Sequence, residues 1–130
     1  MIVVDASVIL ELLLNRPPAK RIAQRILAPE ESLHVPHLLD LEVAQVLRRY
    51  VLNSEVRAAR AALALDDLID LPLTRYPHDL LLPRIWELRH NLSAYDAAYV
   101  ALAESLDAAL LTRDIRLART RGHRAVVETI

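Results

Sequence analysis

Ile2-Val3-Val4-Asp5-Ala6-Ser7 opens the chain, and Ala109-Leu110-Leu111-Thr112-Arg113-Asp114 repeats the pattern near its end. In each, a short apolar run stops at an aspartate and a helix-forming stretch follows. A buried strand that hands over to a helix at an acidic cap reads this way. Working outward, Leu33-His34-Val35 is a second strand closed by Pro36. Leu71–Thr74 is a weaker strand and Ala125–Val127 a last one.

Between these runs the periodicity is helical. Helices are expected over Ala6–Leu14, from Pro17-Pro18 to about Leu27, over His37–Leu52, and over Glu55–Ile69 behind a Ser54 cap. Three more follow: Pro77–His90, ended by Asn91-Leu92; Ala94–Leu106, capped by Ser93; and Asp114–Arg121, stopped by Gly122. Strands alternating with helices imply a central parallel sheet covered on both faces, a three-layer α/β/α sandwich. The 130 residues read as one domain, 1–130, with hydrophobic content of 54%.

Composition removes several function classes. The chain has no cysteine, so disulfides, thiolate zinc sites and cysteine nucleophiles are out. With one glycine, Gly122, it carries neither a P-loop nor a dinucleotide fingerprint. Phenylalanine is absent and aromatics are 4%, which argues against an RNA module built on stacking platforms. The five histidines show no zinc spacing, and no glycine-framed serine elbow occurs. The formal net charge is -1, so no global positive field draws in nucleic acid. Lys20 is the sole lysine. Asp5 and Glu11 interrupt the most apolar early stretch and no basic segment precedes it, so neither a membrane span nor a signal peptide is expected. The cytoplasm is the expected location.

Asp5, Glu42, Asp96 and Asp114 are then the residues of interest. A helix that follows a parallel strand starts at the strand's carboxyl edge, where open α/β folds bind ligands. Asp5, Asp96 and Asp114 fall at helix starts, and Glu42 lies within the first two turns of its helix. Each also has a plainer reading. Asp5 and Asp114 are good helix N-caps. Asp96 sits at the reciprocal position of a capping box begun by Ser93. Glu42 points along an apolar stripe with Leu38 and Val46, where a salt bridge to an arginine would satisfy it. Convergence of all four on one edge favours a shared site. Clustered carboxylates need a cation between them, and an oxygen-only set suits Mg²⁺ or Mn²⁺. A metal held this way cuts phosphodiesters. Ser7 is placed to orient Asp5, and Thr112 to bind a water or a phosphate. Arg113 and Arg116 are candidate phosphate contacts. Asp66, Asp67 and Asp70 read as a solvated helix face.

Met1–Ser7, Leu41-Glu42-Val43-Ala44, Ala94–Glu104 and Leu111-Thr112-Arg113-Asp114 together resemble the PIN-domain ribonucleases, nearest the VapC-type toxins. The resemblance runs over essentially the whole chain, and its middle motif is the most specific. It implies a metal-dependent endoribonuclease. Asp5, Glu42, Asp96 and Asp114 would hold Mg²⁺ or Mn²⁺, with Ser7 and Thr112 as supporting hydroxyls. It also implies an RNA substrate, a cognate antitoxin and a homodimer. Two departures stand out: Gln45 where asparagine is frequent, and Asp107 where a glycine often precedes the strand. Two other classes compete. One is a non-catalytic module whose acids hold a structural cation or a partner's arginine. The other is phosphoryl transfer through an aspartyl phosphate, which Asp5-Ala6-Ser7 fits poorly because it lacks a second aspartate.

Overall fold

Ile2, Val3 and Val4 have no exposed surface, and that burial places them at the centre of the sheet. A computed structural model describes residues 1–130. Its strands are β1 (Ile2–Val4), β2 (Leu33–Pro36), β3 (Leu73–Tyr76), β4 (Ala109–Thr112) and β5 (Val127–Thr129). All pair in parallel, in the order β3-β2-β1-β4-β5. Seven helices cover them: α1 (Ala6–Leu13), α2 (Ala19–Ile26), α3 (Leu38–Leu52), α4 (Ala58–Asp70), α5 (Leu82–Glu87), α6 (Ala94–Leu106) and α7 (Ile115–Arg119). The expected α/β/α sandwich is the observed one.

The strand order positions the site. The chain steps from β1 outward to β2 and β3, then returns past β1 to β4 and β5. Right-handed crossovers send helices to opposite faces when the direction of travel reverses. Accordingly α1, α2, α3 and α4 pack with one another, whereas α5 packs on α6. Helix α6 lies along β1, β2 and β4, and its residues Ala97–Ala103 are all buried. A helix that is apolar all round belongs in such a covered position. The helices after β1 and β4 diverge, so a crevice opens between the carboxyl ends of these two neighbours. One continuous core of 32 buried residues supports it. No helix is long and apolar enough to cross a membrane.

Several boundaries differ from the sequence expectation. Both edge strands lie two residues later than predicted, at Leu73–Tyr76 and Val127–Thr129. Ser54 does not cap α4; it takes a left-handed φ of 58° just past the end of α3, and α4 starts only at Ala58. The expected Pro77–His90 helix is a 3-10 turn over Asp79–Leu81 followed by the short α5. Pro83 explains the break, since it is tolerated in a first helical turn but not mid-helix. Helix α7 ends at Arg119, so Gly122 is not its cap; Gly122 has φ 95° and lies against Asn91. Asp107 caps α6 in the left-handed region, at φ 50°. Aspartate is among the few residues besides glycine that enter this region readily, so the turn survives the departure.

Candidate active site

Asp5, Glu42, Asp96 and Asp114 line one cleft of about 330 Å³. Asp5 leaves β1 in extended conformation and caps α1, accepting from the Ser7 and Val8 amides at 3.0 and 3.3 Å. The cap reading of Asp5 is therefore correct, but it uses only one carboxylate oxygen, Oδ1. The Ser7 hydroxyl also donates to Oδ1, at 2.5 Å. The Thr112 hydroxyl donates to Oδ2. Ser7 Oγ then accepts from the Arg113 amide at 3.0 Å, and Thr112 Oγ1 accepts from the Asp114 amide at 2.9 Å. Two hydroxyls thus stitch the β1–α1 corner to the β4–α7 corner across the crevice. Thr112 is fully buried and committed to this bridge, so it is not open to a water or a phosphate as expected from sequence.

Glu42 forms no ion pair. Its Oε1 accepts from the hydroxyl of Tyr99, on α6, at 2.6 Å. Tyr99 is 2% exposed, so this bond is shielded and oriented. Asp96 fulfils half of the capping box: its amide donates to Ser93 Oγ at 3.1 Å, while its carboxylate faces the cleft. Asp114 caps α7 through the Arg116 amide at 2.9 Å, and Arg116 Nε approaches the same oxygen at 3.3 Å. Arg116 is almost fully exposed, so this pair is a weak, solvent-screened one.

The electrostatics follow from placement. Burial pushes the Asp5 carboxyl above its ordinary value, against the hydroxyls of Ser7 and Thr112 and the amides of Val8 and Ser7. Burial also raises Glu42, opposed by Tyr99 and reinforced by the charges of Asp5 and Asp96. Burial raises Asp96 too, with Asp114 adding to it and Ser93 and Arg116 opposing. The Tyr99 phenol is driven up by burial and by Glu42. Asp114 differs. Burial disfavours its charge, but the Arg116 guanidinium and the Arg116 and Leu117 amides outweigh that, and its carboxyl is lowered. Burial therefore outweighs the hydrogen bonds at three of the four acids, and neighbouring negative charge adds to it at Glu42 and Asp96.

Such a donor set fits a hard divalent cation. No three Asp, Glu or His side chains close on one point as a finished cage. Mg²⁺ keeps several waters and takes one or two carboxylates directly, so an open acidic cleft suits it. The same cleft includes Glu11, Arg49 and Tyr50, which sequence reading did not single out. Arg49 lies seven residues beyond Glu42 on α3, a spacing that keeps both on one helix face and was available as a signal. Of the expected phosphate contacts, Arg116 stands at the mouth beside Asp114. Arg113 turns away and donates to the Ile130 carbonyl at 2.5 Å. Asp40 is outside the cleft, in a two-pronged pair with Arg75 at 2.7 and 3.0 Å. Asp66, Asp67 and Asp70 are exposed, as a solvated face requires.

A parallel sheet in this order, with its acids at the β1/β4 crevice, defines a PIN domain, and the profile of that family matches residues 2–123. The chain is 52% identical over 120 residues to Ribonuclease VapC9 of Mycobacterium tuberculosis, covering 92% of this chain and 91% of that protein. It is 47% identical over 121 residues to Ribonuclease VapC1 of the same organism, with 92% and 90% covered. Among solved structures it superposes on PAE2754 from Pyrobaculum aerophilum with TM-score 0.68 at 29% identity, covering 97% of this chain and 82% of that one. VapBC2 from Rickettsia felis, bound to a DNA fragment from its promoter, shares the fold with TM-score 0.71 at 14% identity, covering 99% and 98%. The chain belongs to the PIN-domain family, on its VapC-type ribonuclease branch.

Proposed function

We propose that this chain is a metal-dependent endoribonuclease and the toxin of a toxin–antitoxin pair, hydrolysing RNA phosphodiesters at the acidic quartet. One observation carries the reading: these four carboxylates line one cleft at the β1/β4 crevice, and of the four only Asp114 is paired with an arginine. The ribonuclease names of the 52% and 47% identical relatives favour RNA as the substrate.

Asp5, Glu42, Asp96 and Asp114 would hold Mg²⁺ or Mn²⁺. When bound, the ion supplies charge neutralisation at the phosphodiester and a more acidic water. The chain's own residues supply the order. Ser7 and Thr112 fix both oxygens of Asp5. Tyr99 fixes one oxygen of Glu42 and leaves the other unbound. The charge of Asp114 acts on Asp96, and Arg116 opposes it. Fixed dipoles aimed beforehand need no reorganisation during reaction.

The toxin reading includes an inhibitor that places an arginine or lysine among the acids, because the cleft's charge is otherwise unbalanced. The VapBC name of a structural neighbour is in line with an antitoxin partner. A homodimer is part of the same reading. Leu82 and Tyr95 are exposed around a small apolar hollow, with Trp86 one turn along α5 and Leu41 one turn along α3 from the hollow's Leu38. We assign the protein to the cytoplasm on the same family reading. The nuclease assignment is tested by incubating the protein with RNA in EDTA and then restoring Mg²⁺ or Mn²⁺. Cleavage should stop and return. Undiminished cleavage in excess EDTA would refute the metal role.

A further inference from the structure

An acidic cleft repels the polyanion it is meant to cut, so the RNA needs positive charge close by. Arg75 and Arg84 are committed to carboxylates outside the cleft, and Arg116 pairs weakly with Asp114. Arg49 is different. It lines the cleft, is exposed and has no carboxylate partner. Its guanidinium lies 5.7 Å from the centre of the Tyr50 ring, and that of Arg16 lies 4.9 Å from the same ring. Arg16 reaches one acid, Glu11, at a long 3.9 Å. A surface contact of that length offsets little of its charge.

Tyr50 thus gathers two guanidinium groups at one end of the cleft. Cation–π contacts hold such groups without neutralising them. Along α3, the backbone positions of Arg49 and Glu42 are about 11 Å apart on the helix axis at a rise of about 1.5 Å per residue. That distance suits a phosphate flanking the scissile bond and not the scissile phosphate itself. Arg116, by contrast, is paired with one of the acids, Asp114.

We infer that Arg49 and Arg16, oriented by Tyr50, form a phosphate-binding subsite for the RNA strand beside the acidic centre. The inference rests on the nuclease reading above. Arginine suits the role because its planar fork meets two phosphate oxygens at once.

The test measures binding of a short single-stranded RNA across a salt series, in the Asp96→Asn background with EDTA present so that the RNA stays intact. Each lost phosphate contact lowers the slope of log K against log salt by about 0.7 for a single strand. Arg49→Ala should lower it by about 0.7, and Arg16→Ala with Arg49→Ala by about 1.4. Arg49→Lys should restore the slope, because it restores the charge. Tyr50→Leu should weaken binding about two- to fivefold with the slope kept, because it loosens the guanidinium groups but removes no charge. Melting curves confirm that each variant is folded. RNA binding with an unaltered slope in Arg49→Ala would overturn this subsite and leave the nuclease reading standing. Loss of inhibition by a partner protein with RNA binding intact would assign the cluster to protein contact and overturn it too. A wild-type chain that neither binds nor cuts RNA would overturn both.

Discussion

The two ends of α6 carry acids in opposite states. Glu104, near its C-terminus, has a side chain only 4% exposed, yet it is fully partnered. Arg84 meets it with two bonds, at 2.7 and 3.0 Å, and the Arg124 amide adds a third at 2.7 Å. Arg84 first among its partners holds the Glu104 carboxyl below its usual range. Asp96, in the first turn, has no such partner, and burial together with the charge of Asp114 raises its carboxyl. Glu31 follows the Glu104 pattern beside Arg25. Asp5 and Glu42 follow the Asp96 pattern. Burial raises Asp5, Glu42 and Asp96, which have no arginine partner, whereas arginine overrides it at Glu104, Glu31 and Asp114.

The largest effect that would break this contrast is on RNA cleavage. Asp96→Asn keeps the shape and removes one charge, and cleavage should fall by at least ~10²-fold. Glu104→Gln should cleave normally at low temperature. Its cost is stability, about 2 kcal/mol, because Arg84 loses its buried carboxylate partner and keeps only the exposed Glu87. Equal cleavage by both variants would dissolve the distinction. Denaturant unfolding of the two provides the stability half of the test.

A smaller effect sharpens the Glu42 side. Tyr99→Phe removes only the hydroxyl that orients Glu42. Outer partners of ligands typically cost 10–100-fold when removed, and we expect about tenfold in cleavage or metal affinity. Stability should change by only about 1 kcal/mol. Unchanged metal affinity and cleavage would make Tyr99 a plain core residue.

The smallest effect is on the metal-free fold. Asp5, Glu42 and Asp96 have raised folded-state values, so the folded chain binds more protons than the unfolded one above the ordinary carboxylate range. Their contribution is full below the unfolded values and is lost as pH rises through the folded ones. Metal-free stability should therefore decline over that window, and Asp96→Asn should flatten the decline. The variant should also melt higher in EDTA; a gain of ~1 kcal/mol would read as roughly 4 °C. Glu104 has the opposite sign: its lowered value contributes stability that is lost only as pH falls through it. Thermal melts of both variants across pH check the pair of signs.

The features legible from sequence are those that local chemistry determines. Strands Ile2–Val4 and Ala109–Thr112 and helix Ala94–Leu106 were read to the residue, because buried apolar runs and the Asp5 and Ser93 caps mark their ends. The edge strands slipped because each is half-exposed, so neither face dictates its register. Pro83 and the left-handed Ser54 were misread because a break and a cap share the same residue types. The four acids were legible because topology alone brings strand-to-helix corners to one edge. Tyr99 lies within the apolar Ala94–Leu106 helix and carries no local sign of its role. Its bond to Glu42 joins residues 57 apart in sequence, and no local pattern announces such a contact.

The central claim is that the cleft acids, not the arginine-paired Glu104, make the cation site. Equilibrium titration with Mn²⁺, read by calorimetry, tests it on three proteins. The account predicts binding to the wild type, binding at least ~10-fold weaker in Asp96→Asn, and unchanged binding in Glu104→Gln. Equal Mn²⁺ affinity in all three, or none in the wild type, would contradict it.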